Sequence, residues 1–226
     1  MANSSTKKSM KNTTKKKRNY FFFHFVKITG SPAALWMRPK VYSMGNTRPK
    51  DVKGGAMIVA NHTSFFDPIF GFIVFWRRKM HCVASKDLYN TKFKNFFFTK
   101  VGCIQVDKNN FSMNCFHEVK EVLDDNKIVM IFPEGQLNLE QEEMLGFKSG
   151  AILMAHRANK PIIPMYIIKG KKWYNRWVAV MGDPIDVRAL CGPIPTIASM
   201  EKASEFLRET ENKLKNYYLQ GEYEKK

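Results

Sequence analysis

Apolar runs of strand length alternate along this chain with longer segments whose apolar residues recur every three or four positions. The runs lie at 56–60 ("AMIVA"), 81–85 ("HCVAS"), 103–107 ("CIQVD"), 127–135 ("KIVMIFPEG"), 161–168 ("PIIPMYII") and 177–182 ("WVAVMG"), most of them bounded by Gly, Pro, Asn or Asp. After the first run, Pro68 suits a first helical position and Asp67 an N-cap, so a helix is predicted over 68–78. Met113, Phe116, Val119, Val122 and Leu123 form one face of a helix over 111–126, and a further helix fits 149–159. The last stretch, 199–219, spaces Ala203, Phe206, Leu207, Leu214 and Tyr218 as a buried stripe. Strands separated by helices predict a layered α/β domain whose mixed or mostly parallel sheet is flanked by helices. The sequence has no internal repeat and no hinge-like linker.

Composition sharpens this picture. With 44% hydrophobic and 13% aromatic residues among 226, there is material for a substantial single core, which excludes a disordered chain. The net charge of +17 is uneven: Lys7, Lys8, Lys11, Lys15, Lys16, Lys17 and Arg18 fall in the first 18 residues without an acid. That balance favours an anionic partner, either nucleic acid or an anionic membrane surface. Residues 1–18 offer nothing to bury and are expected to form a basic disordered tail. The run at 20–37, "YFFFHFVKITGSPAALWM", is cut by His24, Lys27, Gly30 and Pro32, too broken for a span of ~20 apolar residues. It also lacks a convincing small-residue cleavage site. Residues 19–50 are therefore expected to form a helical segment that docks on a membrane, with packing as an ordinary helix as the alternative. Residues 51–226 then make one domain. Cys82, Cys103, Cys115 and Cys191 form neither a Cys-x-x-Cys nor a Cys and His cluster, so a reduced chain without a metal site is expected.

The stretch "IVANHTSFFDPIF" places His62 and Asp67 inside an apolar run. On a helix, residues five apart point roughly 140° away from each other and could not meet. They can meet if the strand ends at Ala60 and the chain turns before Pro68, which itself pushes the preceding residue out of the α region. Asp67 would then fix one imidazole tautomer and leave the other nitrogen to take a proton, with the attacking hydroxyl supplied by a substrate. A helix cap beside a hydrogen-bonded loop histidine gives the same spacing, and the motif alone leaves both readings open. Further on, the strand ending in "FPEG" delivers Glu134 and Gly135 to the carboxyl end of the sheet, where open α/β sheets put their ligand sites. Gly135 would let a substrate approach the backbone, or the segment is a plain strand-end turn.

Taken in order, "NHTSFFDP", "GCIQVDK", "FPEG" and "IIPMY" resemble the blocks of the glycerolipid acyltransferases, whose best-known members are the 1-acylglycerol-3-phosphate acyltransferases. The four blocks run from Asn61 to Tyr166, close to half of the chain. The resemblance implies transfer of a fatty acyl group from acyl-CoA or acyl carrier protein, a thioester co-substrate with no cofactor beside it, to the free hydroxyl of a lysophospholipid. With 1-acyl-sn-glycerol-3-phosphate as acceptor the product is phosphatidic acid. The resemblance further implies His62 as general base and Asp67 as its orienter, with Glu134 and Gly135 at the acceptor and Ile163 and Pro164 in the acyl pocket; Lys108 and Lys148 are the cations expected to meet the acceptor's headgroup. It implies a peripheral or monotopic protein at the cytoplasmic face of a membrane.

Two departures bear on the acceptor. Leu137 stands where the family commonly has an arginine implicated in holding phosphate, and Lys108 replaces a second arginine, keeping the charge but losing the bidentate fork. Another lysolipid acceptor, or a lipid-binding relative without turnover, stays as the alternative. His81, His117 and His156 have no acid at telling spacing and are expected to be structural. Phe93, Phe96, Phe97 and Phe98, set among Lys92, Lys94 and Lys100, suit either a lipid-facing surface or a core helix with a solvated face. No recognised nucleic-acid module accompanies the basic charge, so nucleic acid is not the expected partner.

Overall fold

The apolar runs become the strands of one sheet because their backbone groups pair with each other while helices cover both faces. The computed structural model describes residues 31–107, 113–139, 144–170 and 176–225. In chain order the elements are α1 (Ser31–Met37), β1 (Lys40–Ser43), β2 (Ala56–Ala60), α2 (Asp67–Val74), β3 (Met80–Ser85), α3 (Lys92–Val101), β4 (Ile104–Val106) and α4 (Met113–Asp124). They continue with β5 (Ile128–Ile131), α5 (Gly150–Ala158), β6 (Ile162–Ile168), β7 (Val178–Met181), α6 (Val187–Cys191) and α7 (Ile197–Leu219). The sheet order is β1-β7-β6-β2-β5-β3-β4. Neighbours are parallel except β6 and β7, so the sheet is mixed and mostly parallel.

The strand period of two sorts side chains between two cores. Ala56, Ile58, Ala60, Ile128 and Met130 join Phe70, Phe75 and Met37 on the face covered by α1 and α2. Met57, Val59 and Val129 join Val119, Leu123, Ile152, Ala155 and Leu207 beneath α4, α5 and α7. Each fully buried large side chain, Ile58 or Met130 for example, stabilises the fold by roughly 1.5–3 kcal/mol. Tight contact at the entry to β2 makes one glycine indispensable. A Cβ on Gly55 would lie 1.9 Å from the Leu123 carbonyl oxygen, a backbone atom that cannot step aside. Gly55→Ala is expected to cost about 1–3 kcal/mol or more, read as a lowered midpoint in urea with an unchanged m-value; an unaltered midpoint would contradict it.

Several sequence expectations shift. Lys40–Ser43, placed by the sequence within the docking segment, is an edge strand paired to β7, so the folded domain begins before residue 51. Four residues of mixed exposure are too few to show a strand period. The rest of that segment up to residue 30, and the basic tail, lie outside the described residues. On α7 the inward line is Ala203, Ser204, Leu207, Glu211, Leu214 and Tyr217, whereas Phe206 is 40% exposed. In α3 only Val101 is buried, and Phe93 and Phe96 face outward at 76% and 55% exposure. His81 and His156 are structural, their rings meeting the carbonyls of Gly102 and Gly192 at 2.7 Å. All four cysteines are free. Among the described residues, no helix is long and apolar enough to cross a membrane, and no cluster of His, Cys, Asp or Glu is placed to hold a metal.

Candidate active site

Sheet register brings the two polar motifs together. Val59 of β2 is paired with Ile131 of β5, and three residues beyond each pair member stand His62 and Glu134. The strands are parallel, so both residues emerge at the same carboxyl end. The His62 N–H donates to Glu134 Oε1 at 3.1 Å, and the His62 carbonyl accepts the Asn138 N–H at 2.7 Å. Both peptide groups of His62 are thus held by the loop after β5. On the other side, Asn61 forms a two-point clamp with Ile167 of β6, its Nδ2 donating to the carbonyl at 3.0 Å and its Oδ1 accepting the N–H at 2.6 Å.

Beyond Asn61 the chain turns and returns to α2. Asp67 is the first residue of that helix rather than its cap, which is Phe66, without a side-chain capping bond. The carboxylate folds back instead: Asp67 Oδ2 accepts the Thr63 N–H at 2.6 Å, the Ser64 N–H at 2.8 Å and His62 Nδ1 at 3.0 Å. Asp67 is fully buried, and its place in the first helical turn favours a negative charge. A carboxylate only accepts, so Nδ1 carries the proton and Nε2 keeps its lone pair. The imidazole stacks on Phe132, ring centroids 4.1 Å apart at 17°, and its side chain keeps 19% exposure. Two faces are therefore fixed and one nitrogen is left to take a proton.

Glu134 is buried and serves the His62 amide from beneath. Burial pushes its carboxyl up, opposed by the backbone N–H groups of His62 and Leu145, by the Asn138 side chain and, when the His62 ring takes a proton, by its charge. Gly135 adopts φ +70°, the left-handed region, and the exposed Lys148 arches over it: a Cβ there would lie 3.1 Å from Lys148 Cε and Nζ. The Lys148 N–H donates to the Pro133 carbonyl at 2.9 Å, which fixes that approach. Leu137 is half-buried in the same loop. Ile163 and Pro164 are buried in β6 opposite Ile58 and Val59, and Ile163 belongs to the core under α2. Lys108 lies outside the described residues. Phe132 and Asn138 also belong to the site; Phe132 opens the FPEG block without a role read for it there, and no sequence signal marks Asn138, since each acts through a register that only the folded sheet supplies.

A family model described as Acyltransferase matches residues 38–168, more than half of the chain. A Helicobacter pylori 1-acyl-sn-glycerol-3-phosphate acyltransferase is 32% identical over 124 residues, 54% of this chain and 52% of that protein, so the match spans about half the relative's length. A Bacillus subtilis protein of the same name is 26% identical over 183 residues, 77% of this chain and 89% of its own. The crystal structure of a 1-acyl-sn-glycerophosphate (LPA) acyltransferase from Thermotoga maritima superposes with TM-score 0.60 at 18% identity, covering 89% of this chain and 81% of the other, a likeness of fold.

Proposed function

The chain belongs to the acyltransferase family, and from that premise we propose that it moves a fatty acyl group from a thioester, acyl-CoA or acyl carrier protein, to the free hydroxyl of a lysophospholipid, with 1-acyl-sn-glycerol-3-phosphate as the first acceptor. The observation that carries this reading is the partly exposed base without a protein nucleophile among the described residues. His62 is oriented by buried Asp67, and among the described residues no side-chain hydroxyl or thiol hydrogen-bonds to its ring. The alcohol then comes from the acceptor. His62 Nε2 takes the hydroxyl proton as the oxygen attacks the thioester carbonyl. Asp67 stabilises the imidazolium, the tetrahedral intermediate collapses with cleavage of the C–S bond, and the leaving thiolate recovers the proton. Lys148, exposed above Gly135, offers a cation to an anionic headgroup in the absence of an arginine at Leu137. No metal or cofactor enters this scheme.

The rim of the site supports a lipid substrate. Phe65, Phe66 and Ile69 are 72%, 46% and 40% exposed on the turn and helix that hold the dyad, and Trp36 of α1 meets Phe66 edge-on at 5.6 Å. Such a cluster beside a net charge of +17 suits the surface of an anionic bilayer. Replacing Phe65 and Phe66 together by serine is expected to weaken cosedimentation with anionic vesicles by about tenfold or more, with the water-soluble thioester's KM unchanged; full partitioning would count against the docking role. The reaction itself is tested by offering the purified protein acyl-CoA and acyl carrier protein thioesters with a panel of lysolipids. Diacyl lipid and free thiol in equal amounts are expected, and thiol release without lipid product in every pairing would overturn the reading.

A further inference from the structure

Helix α3 turns aromatic side chains outward, where the outer face of a helix in a folded domain ordinarily carries polar ones. Phe93, Phe96 and Phe97, three and four residues apart, make one stripe and are 76%, 55% and 39% exposed. The helix is held from a different side, by buried Val101 and by Phe98, whose ring meets Tyr89 at 5.3 Å. The stripe is therefore not the face that seats α3 on the domain. Lys92 and Lys94 flank Phe93, and Lys100 closes the stripe with its Nζ 5.5 Å from the centre of the Phe96 ring. All three lysines are exposed, and the sequence has no acid from residue 88 to residue 106. The acids at the two ends are engaged locally, Asp87 by the Ser85 hydroxyl at 2.9 Å and Asp107 by Lys86 at 3.9 Å.

Topology puts this stripe on the side of the molecule that holds the site. Strands β2, β3 and β4 are parallel, and the steps from β2 to β3 and from β3 to β4 run the same way across the sheet. Right-handed crossovers then lay α2 and α3 over the same face, in accord with Cys103, just beyond the end of α3, which packs on the core under α2. The chain leaves β3 at the carboxyl end, where His62 and Glu134 also emerge, and passes through a 3₁₀ turn, Lys86–Tyr89, before α3 begins. Leu88 of that turn is 39% exposed, and Phe93 follows in the first turn of α3. We propose that α3 is a docking surface for an anionic bilayer, a second point of attachment beside the rim formed by Phe65 and Phe66. Aromatic rings among lysines suit that partner: the rings sink to the level of the headgroups while the lysine stems carry their charges to the anionic surface. An acidic protein would satisfy the lysines, but it would have to bring a matching pocket for each projecting ring, whereas a fluid apolar layer moulds to them. Two attachment points fix the tilt of the domain and turn the carboxyl end of the sheet toward the lipid. The proposal rests on the acyl-transfer reading only for the direction from which the substrate arrives.

Binding of the full chain to vesicles of phosphatidylglycerol and phosphatidylcholine is read without turnover, so its failure is distinct from a failure of the acyl-transfer reading. Lys92→Gln, Lys94→Gln and Lys100→Gln together are expected to lower the partition coefficient about tenfold to a hundredfold at low salt, from about fivefold for each cation near the surface. Phe93→Ser with Phe96→Ser is expected to lower it about tenfold or more, and this loss should persist at high salt, which screens charge and leaves apolar contact in place. Residues 1–18 are the same in every variant, so the differences belong to α3. Both sets change exposed side chains, and their circular dichroism should match wild type. Phe93→Cys carrying a polarity-sensitive fluorophore locates the helix directly: its emission should move to the blue on vesicle binding, and bromine-labelled lipid should quench it. Partitioning equal to wild type in either set of variants, or a fluorophore that stays in water while the protein is bound, would overturn the proposal. So would lysine variants that keep vesicle binding and lose capture of acyl carrier protein, a result that gives the face to an acidic protein.

Discussion

His62→Ala is expected to lower kcat by about 10²–10⁴ while leaving the fold and the acceptor KM unchanged. The side chain lies on the protein's open side, 19% exposed and stacked on Phe132, so its removal leaves no buried polar group orphaned. Asp67 keeps the N–H groups of Thr63 and Ser64, and the His62 backbone stays bonded to Glu134 and Asn138. The turn therefore survives without its base. Initial rates of thiol release, beside circular dichroism of the same samples, check this; a variant within tenfold of wild type would remove His62 from the mechanism.

Asp67→Asn is expected to lose a comparable factor, about 10²–10⁴ in kcat, for a different reason. The asparagine oxygen can still accept from Thr63 and Ser64, so the turn closes as before. Thr63, Ser64 and His62 Nδ1 all meet the same oxygen, Oδ2, so an asparagine oxygen in its place keeps the Nδ1 proton where it was, but as a weaker acceptor than a carboxylate. The variant also lacks the negative charge that stabilises the imidazolium. A solution NMR spectrum of the imidazole nitrogens should show the proton retained on Nδ1, so that the lost rate traces to the missing charge, and an asparagine variant with the wild-type rate would mean that Asp67 only braces the turn.

The central strands were legible because both of their faces are covered. Ala56–Ala60 is buried at every position and reads as an unbroken apolar run, as parallel interior strands do. β1 was not legible, since Lys40 and Val41 are exposed at the sheet's edge and four residues carry no period. Asp67 looked like a helix cap because the letters before Pro68 fit one; the structure spends the same carboxylate on the preceding turn, a competition between two uses of one side chain. The spacing of His62 and Asp67 was visible, whereas the bond between His62 and Glu134 joins residues 72 apart and depends on the pairing of β2 with β5. Sequence order cannot show such a register. Glu211 stood in plain view, four residues after Leu207 and three before Leu214 on an apolar stripe. A buried acid on that stripe is a local conflict with its apolar neighbours.

The central claim is that His62, oriented by Asp67, removes a proton from a lipid hydroxyl so that it can take an acyl group from a thioester. The measurement that tests it most directly follows an isotope-labelled acyl thioester into lipid by mass spectrometry, with lysophosphatidic acid in mixed vesicles and with wild type, His62→Ala and Asp67→Asn side by side. Labelled phosphatidic acid in step with free thiol, present in wild type and reduced in both variants, is the predicted result. Equal labelled product from all three proteins would contradict the account.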